Sequence, residues 1–162
     1  MVVSWSSRST LVWDRNTTLH YVIAFTSRDE SRHIVTCAVR LAASVKATVT
    51  ILKVIANPQS VGVVAELIAT DEPYNLAQDE VQEVVQELLK ENIDAKGIVR
   101  SVDNVGEGLV SITAELAADA IFLGTRDVES KRSLLCEDDP IADYVINHCP
   151  ATVVLVRPKK SN

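Results

Sequence analysis

Residues 106–126 read GEGLVSITAELAADAIFLGTR. Leu109, Ile112, Thr113, Leu116 and Ala117 recur at helical spacing and share one face, and Ala120 to Leu123 then form a short apolar run closed by Gly124. A strand without polar alternation is buried on both sides, as in a parallel sheet covered by helices on both faces. The rest of the chain agrees. Residues 20–26 (HYVIAFT) are strand-like, and a polar turn leads to a helical pattern carrying Ile34, Cys37, Ala38, Leu41 and Val45. Residues 47–55 (ATVTILKVI) repeat the strand signal, and residues 74–92 repeat the helix signal with Val81, Val84, Val85, Leu88 and Leu89 in one stripe. Residues 98–102 are β-rich; Ile141, Tyr144, Val145 and His148 mark a last short helix; residues 152–156 (TVVLV) are a final strand stopped by Pro158. The order βαβαβαβαβ predicts an α/β fold, a single-domain doubly wound five-stranded parallel sheet with helices on both faces. Ligands of such sheets bind outside the carboxyl ends of the strands where the winding reverses, which directs attention to the loops beginning at Thr26 and Gly124.

Composition narrows the function. The 162 residues suit one domain with a sizeable core, and 47% hydrophobic with 23% charged residues is ordinary globular usage. Lys and Arg number 16 against 22 Asp and Glu, a net charge of −6 that repels phosphate backbones and anionic membranes, so neither a nucleic acid nor a membrane is expected as a partner. Cys37, Cys136 and Cys149 are odd in number and lack CxxC spacing, which fits a reducing, cytoplasmic setting. No apolar run reaches the length of a signal peptide or membrane span, and Asn16-Thr17-Thr18, an acceptor pattern for glycosylation, carries no weight without a secretory signal. Residues 1–19, with Trp5, Leu11 and Trp13, stand outside the strand–helix repeat as an N-terminal extension, and residues 56–73 form a long connection with an apolar centre. Residues 20–158 make the domain and 159–162 a C-terminal tail.

Three segments carry a family resemblance: YVIAFTSRDESRHIVTCAVRLA from Tyr21, GEGLVSITAELAADAIFLGTR from Gly106, and ADYVINHCPATVVLVR from Ala142. In order and local pattern the chain resembles the universal stress proteins across residues 20–158. That resemblance implies a Rossmann-like fold of the adenine nucleotide alpha hydrolase kind, a stress-response role, and a homodimer built through the last strand, here Thr152, Val153, Val154, Leu155 and Val156. That strand is apolar on both faces, so at a sheet edge it needs a cover.

Members of the family that bind ATP carry, after the fourth strand, a Gly, two residues, a second Gly, nine residues, then Gly followed by Ser or Thr. Glycines let backbone N–H groups approach phosphate, and the hydroxyl opens a helix whose positive end favours an anion. Gly124 matches the first position, followed by Thr125 and Arg126. The second glycine position holds Asp127, and the Gly-Ser pair falls on Glu137-Asp138, or on Asp139-Pro140 if two residues are inserted. Asp139-Pro140 also suits a helix start, since Asp is a favoured N-cap and Pro a favoured first helical residue. The family's adenine-facing Asp falls on Thr26 and the Gly after it on Ser27. Arg126, Lys131 and Arg132 are outnumbered in the same loop by Asp127, Glu129, Glu137, Asp138 and Asp139. Like charges about 4 Å apart repel by about 4 kcal/mol at an effective dielectric near 20, less where solvent screens them. The expectation is therefore a dimeric regulatory protein without catalysis, cofactor or metal. The alternatives are a universal stress protein that binds ATP or AMP with Mg at Thr26, Ser27, Gly124, Thr125 and Arg126, with slow ATPase or sensing activity, and a cytosolic regulatory module of a transporter or kinase.

Other chemistries find no residues to rest on. His20, His33 and His148 share no metal-ligand spacing, and no GxSxG elbow is present. Cys37 reads as a buried inert thiol, Cys149 as packed at a helix-to-strand turn, and Cys136 as exposed but surrounded by acids that disfavour the thiolate. The acids from Asp71 to Glu91 are the solvated face of a helix. Thr26-Ser27 and Arg157 replace the acidic pair and the Lys that a receiver domain requires, and Thr26-Ser27-Arg28 is only a faint flavodoxin-like phosphate loop.

Overall fold

The structure is a computed structural model that describes residues 17–57, 72–125 and 139–159. The elements run β1 (His20–Ala24), α1 (Arg28–Val45), β2 (Thr48–Ala56), α2 (Glu72–Lys90), β3 (Ala95–Val102), α3 (Val105–Glu115), β4 (Ala120–Gly124), α4 (Pro140–His148) and β5 (Thr152–Val156). Among the described residues they form one five-stranded sheet, ordered β3-β2-β1-β4-β5 and parallel throughout. β1 pairs with β2 from His20 opposite Thr48 and with β4 from Tyr21 opposite Ala120. The doubly wound expectation holds. β3 begins at Ala95, three residues before its β-branched signal, because its amino end is secured by pairing with β2, Val49 opposite Ala95.

Alternation along the strands divides the interior in two. Ile23 and Phe122 face a core closed by α1 and α2, with Ile34, Ala38, Ala42, Val81, Val84, Val85 and Leu88. Val22, Ile121 and Leu123 face a second core closed by α3 and α4, with Leu109, Ile112, Ala142 and Val145. Helix contact runs along narrower stripes than the sequence suggests. On α1 the buried residues are Ser31, Ile34, Ala38 and Ala42, small enough to bring the helix close to the sheet. Cys37 therefore sits half-buried on the flank, and Leu41 and Val45 are 46% and 50% exposed. Leu89 of α2, at 43%, likewise leaves the stripe. Ala117 is exposed beyond the end of α3, in the left-handed region at φ 48°, where its N–H bonds Ala114 O and that of Ala118 bonds Thr113 O. The chain turns there into β4.

The helix starts are fixed locally. Ser27 caps α1 by accepting from Glu30 N, Asn104 caps α3 by accepting from Glu107 N, and Asp139 caps α4 by accepting from Ala142 N, with Pro140 in the first turn. Gly108 lets α3 approach β3, since a Cβ there would stand 2.7 Å from Val102 Cγ1. Among the described residues no helix is long and apolar enough to cross a membrane.

Candidate functional site

β1 stands between β2 and β4, so the winding reverses between β1 and β4, and the chain leaves their carboxyl ends in opposite directions. A cleft of about 610 Å³ opens there. Ala24, Val54, Val105, Leu109, Leu123 and Ile141 give it apolar walls. Thr26, Thr125, Asp29, Glu30, His33 and Asp139 supply its polar groups.

Three of the five residues anticipated for a nucleotide, Thr26, Gly124 and Thr125, line this cleft. Ser27 instead caps α1. Arg126 lies outside the described residues, as do Asp127, Glu129, Lys131, Arg132, Cys136, Glu137 and Asp138. Gly124 has a packing role of its own: a Cβ there would stand 2.8 Å from Ile34 Cδ1 and 3.4 Å from His33 Nε2. The bare backbone of β4 there leaves room for Ile34 and His33 of α1.

A phosphate at such a switch point takes N–H groups that a helix start leaves unpaired. Here side chains already hold several of the N–H groups around these helix starts. Glu30 N donates to Ser27 Oγ at 3.3 Å, Arg28 N donates to Glu80 Oε1 at 2.9 Å, and Thr26 N donates to the buried Ser31 Oγ at 2.9 Å. At α4, Ala142 N donates to Asp139 Oδ1 at 3.1 Å, so a carboxylate occupies the positive end of that helix.

Cations of the surrounding elements are turned toward α2. Arg28 pairs with Glu87 and lies 3.7 Å from Glu83, and Lys53 Nζ is 2.6 Å from Glu80 Oε2 while sitting 5.7 Å from the centre of the Phe25 ring. Burial alone pushes the Glu80 carboxyl up, but the hydrogen bonds from Lys53 and Arg28 N, with the charges of both side chains, bring it below the ordinary 4.5. Asp29, Glu30 and Asp139 are the acidic residues that line the cleft, and among the described residues no Lys or Arg lines it.

Of the histidines, His33 alone reaches this place. Its Nε2 is buried without a hydrogen-bond partner among the described residues. His20 opens β1, hydrogen-bonds Thr50 Oγ1 at 2.7 Å and has its pKa lowered, chiefly by burial; His148 stacks on Tyr144 at the end of α4. No group of three or more metal-ligating side chains is assembled among the described residues. Sequence reasoning passed over Asp29, Glu30 and His33 as site residues. The spacing Ser27-x-x-Glu30 is a capping signature that sets the first turn of α1 at the switch point.

The profile of the universal stress protein family matches residues 20–157. No curated protein sequence matches the chain. Among solved structures, a universal stress protein from Archaeoglobus fulgidus superposes with a TM-score of 0.67 at 17% identity, covering 86% of this chain and 99% of that one. The universal stress protein from Archaeoglobus fulgidus in complex with dAMP gives 0.65 at 16%, covering 85% and 97%. A family protein from Arabidopsis thaliana with AMP bound gives 0.61 at 8%, covering 87% and 92%. At these identities the likeness is one of fold.

Proposed function

The chain belongs to the universal stress protein family, and from that premise we propose that it acts as a dimeric, non-catalytic stress-response or regulatory protein that does not load ATP. The observation that carries this reading is Asp139: its carboxylate accepts from the N–H of Ala142, and the residue lines the cleft together with Asp29 and Glu30. A triphosphate seated there would meet these charges, and each contact at about 4 Å would cost up to about 4 kcal/mol before solvent screening. A single kcal/mol of that size is already several-fold in affinity.

β5 supports the dimer. It ends the sheet among the described residues, with Leu155 37% exposed and Val153 and Val154 half-buried, so its outer side suits a second copy of the same strand.

A nucleotide-binding role, with ATP or AMP and Mg and slow hydrolysis or sensing, is the second reading. The cleft at the switch point and Gly124 favour it, and structural relatives bear dAMP, cAMP and AMP. Calorimetric titration with Mg-ATP, combined with nucleotide analysis of acid extracts of the purified protein, separates the two. The expected result is no heat at micromolar nucleotide and no extracted adenine; micromolar binding overturns the first reading.

A further inference from the structure

We propose that His20 is an acid-sensitive clasp at the amino edge of the sheet: its neutral ring holds β1 to β2 through Thr50, and a proton taken from solvent onto Nε2 releases the β2 side. The device lies at the opposite end of the strands from the cleft and works whatever the cleft holds.

β1 is the central strand, and His20 opens it. Its neighbours are fastened to it there: Thr48 N donates to Leu19 O at 2.8 Å, His20 N donates to Asp119 Oδ2 at 2.7 Å, and Asp119 N donates to His20 O at 2.8 Å. Alternation puts His20 on the face of Val22, and Thr50 stands opposite Val22 on β2. Thr50 is wholly buried, and its Oγ1 lies 2.7 Å from His20 Nε2, its one side-chain partner among the described residues.

A buried hydroxyl left without an acceptor is costly. A hydrogen bond to the Leu116 backbone holds a proton on the ring. With that proton on Nδ1, Nε2 offers its lone pair to the Thr50 hydroxyl. An imidazolium has no lone pair, so protonation turns an N–H toward Thr50 and leaves the hydroxyl proton without an acceptor among the described residues.

Charge gives the release its direction. Lys96, opposite Thr50 on β3, disfavours a cationic ring; the Leu116 backbone after α3 and Asp119 just before β4 favour one. Burial is the largest influence and, with Lys96, holds the imidazole below its ordinary 6.5. The stability that the neutral ring contributes is therefore whole above 6.5 and is lost as pH falls from there through the lowered pKa. Once charged, the ring is repelled from the β2–β3 side and drawn to the β4 side, so the clasp opens on one side only.

The test is a nitrogen-edited NMR titration of the histidine rings in the full chain, with His20 assigned by His20→Gln. Expected are an Nδ1–H tautomer at neutral pH and a midpoint below 6.5. Thr50→Val should raise that midpoint, because a hydrogen bond donated to the neutral ring disfavours the charged one, and Thr50→Ser, which restores a hydroxyl, should bring it back. Hydrogen exchange supplies a second readout. As pH falls from about 7.5 to about 5, the protection factor of the Thr48 amide should drop severalfold in the parent and stay level in His20→Gln, while that of Ala118, whose N–H bonds Thr113 O, holds. An Nε2–H tautomer, a midpoint at or above 6.5, a midpoint that Thr50→Val leaves unchanged or lowers, or Thr48 protection that does not follow the His20 titration overturns the proposal. If Thr50→Val does not fold, the parent's tautomer, midpoint and exchange decide alone.

Discussion

Replacing Asp139 by Ala and, separately, by Asn splits its two roles, because both changes remove the charge and only the first removes the cap. Asp139 Oδ1 accepts from Ala142 N at 3.1 Å, and α4 has nine residues with Ala142 and Val145 buried. A helix that short does not hold itself in water and depends on its docking and its ends. Truncating an N-cap to Ala costs about 1 kcal/mol. For a domain of this length that lowers the melting temperature by about 2–4 °C. Asn caps about as well as Asp and forfeits only the attraction of a negative charge to the helix end, about 0.3–1 kcal/mol. Thermal denaturation followed by circular dichroism should therefore rank the parent first, the Asn variant close behind and the Ala variant last. Equilibrium dialysis with AMP should show the two variants gaining anion affinity together, because both lose the same repulsion. Two results refute the reasoning. If Asn melts as low as Ala, the hydrogen bond is not what secures α4; if neither gains any affinity for the anion, the carboxylate is not what guards the cleft.

The tie between α1, β2 and α2 has an acid signature. Glu80 titrates below the ordinary carboxylate value of 4.5, so its charge stabilises the fold above that pH and the contribution is lost as pH falls through its lowered pKa. Glu80→Gln should be less stable than the parent at neutral pH by up to about 1 kcal/mol, since solvent screens a partly exposed pair, and melting curves should converge as the pH falls through the lowered Glu80 pKa; a gap that persists in acid would place the effect in packing instead. Leu155→Lys should convert a dimer to a monomer in multi-angle light scattering without lowering the melting temperature of the monomer, since Leu155 is exposed at the edge strand. Val154→Lys reads the same interface but also disturbs the α1 core, against which Val154 packs. Parent and Leu155→Lys both running as monomers would remove the dimer proposal.

The fold was legible because buried strands such as residues 120–123 and 152–156 leave a continuous apolar trace that turn residues interrupt. The helix flanks were not. Leu41, Val45 and Leu89 match the helical period as well as the true contact residues do, and only the closeness of α1 to the sheet, set by Ser31, Ala38 and Ala42, decides which side is covered. The same split runs through the site. Asp139-Pro140 announced a helix start in local terms, and the structure places the cap there. Asp29 and Glu30 looked like any polar turn, because their relation to Asp139 spans more than a hundred residues and exists only once β1 and β4 are neighbours. His33 left no local trace, since its helix meets Gly124 of β4 only in the folded chain.

The two interior layers lie on opposite sides of the sheet and share few side chains, yet both contribute to the same opening: Phe25 and Ile34 from one, Leu109, Leu123 and Ala142 from the other. Whatever lodges between them becomes a rivet through the sheet. Its occupancy would slow amide exchange in α1 and in α3 together, so that a message written at one small gap would be felt on both broad surfaces of the molecule.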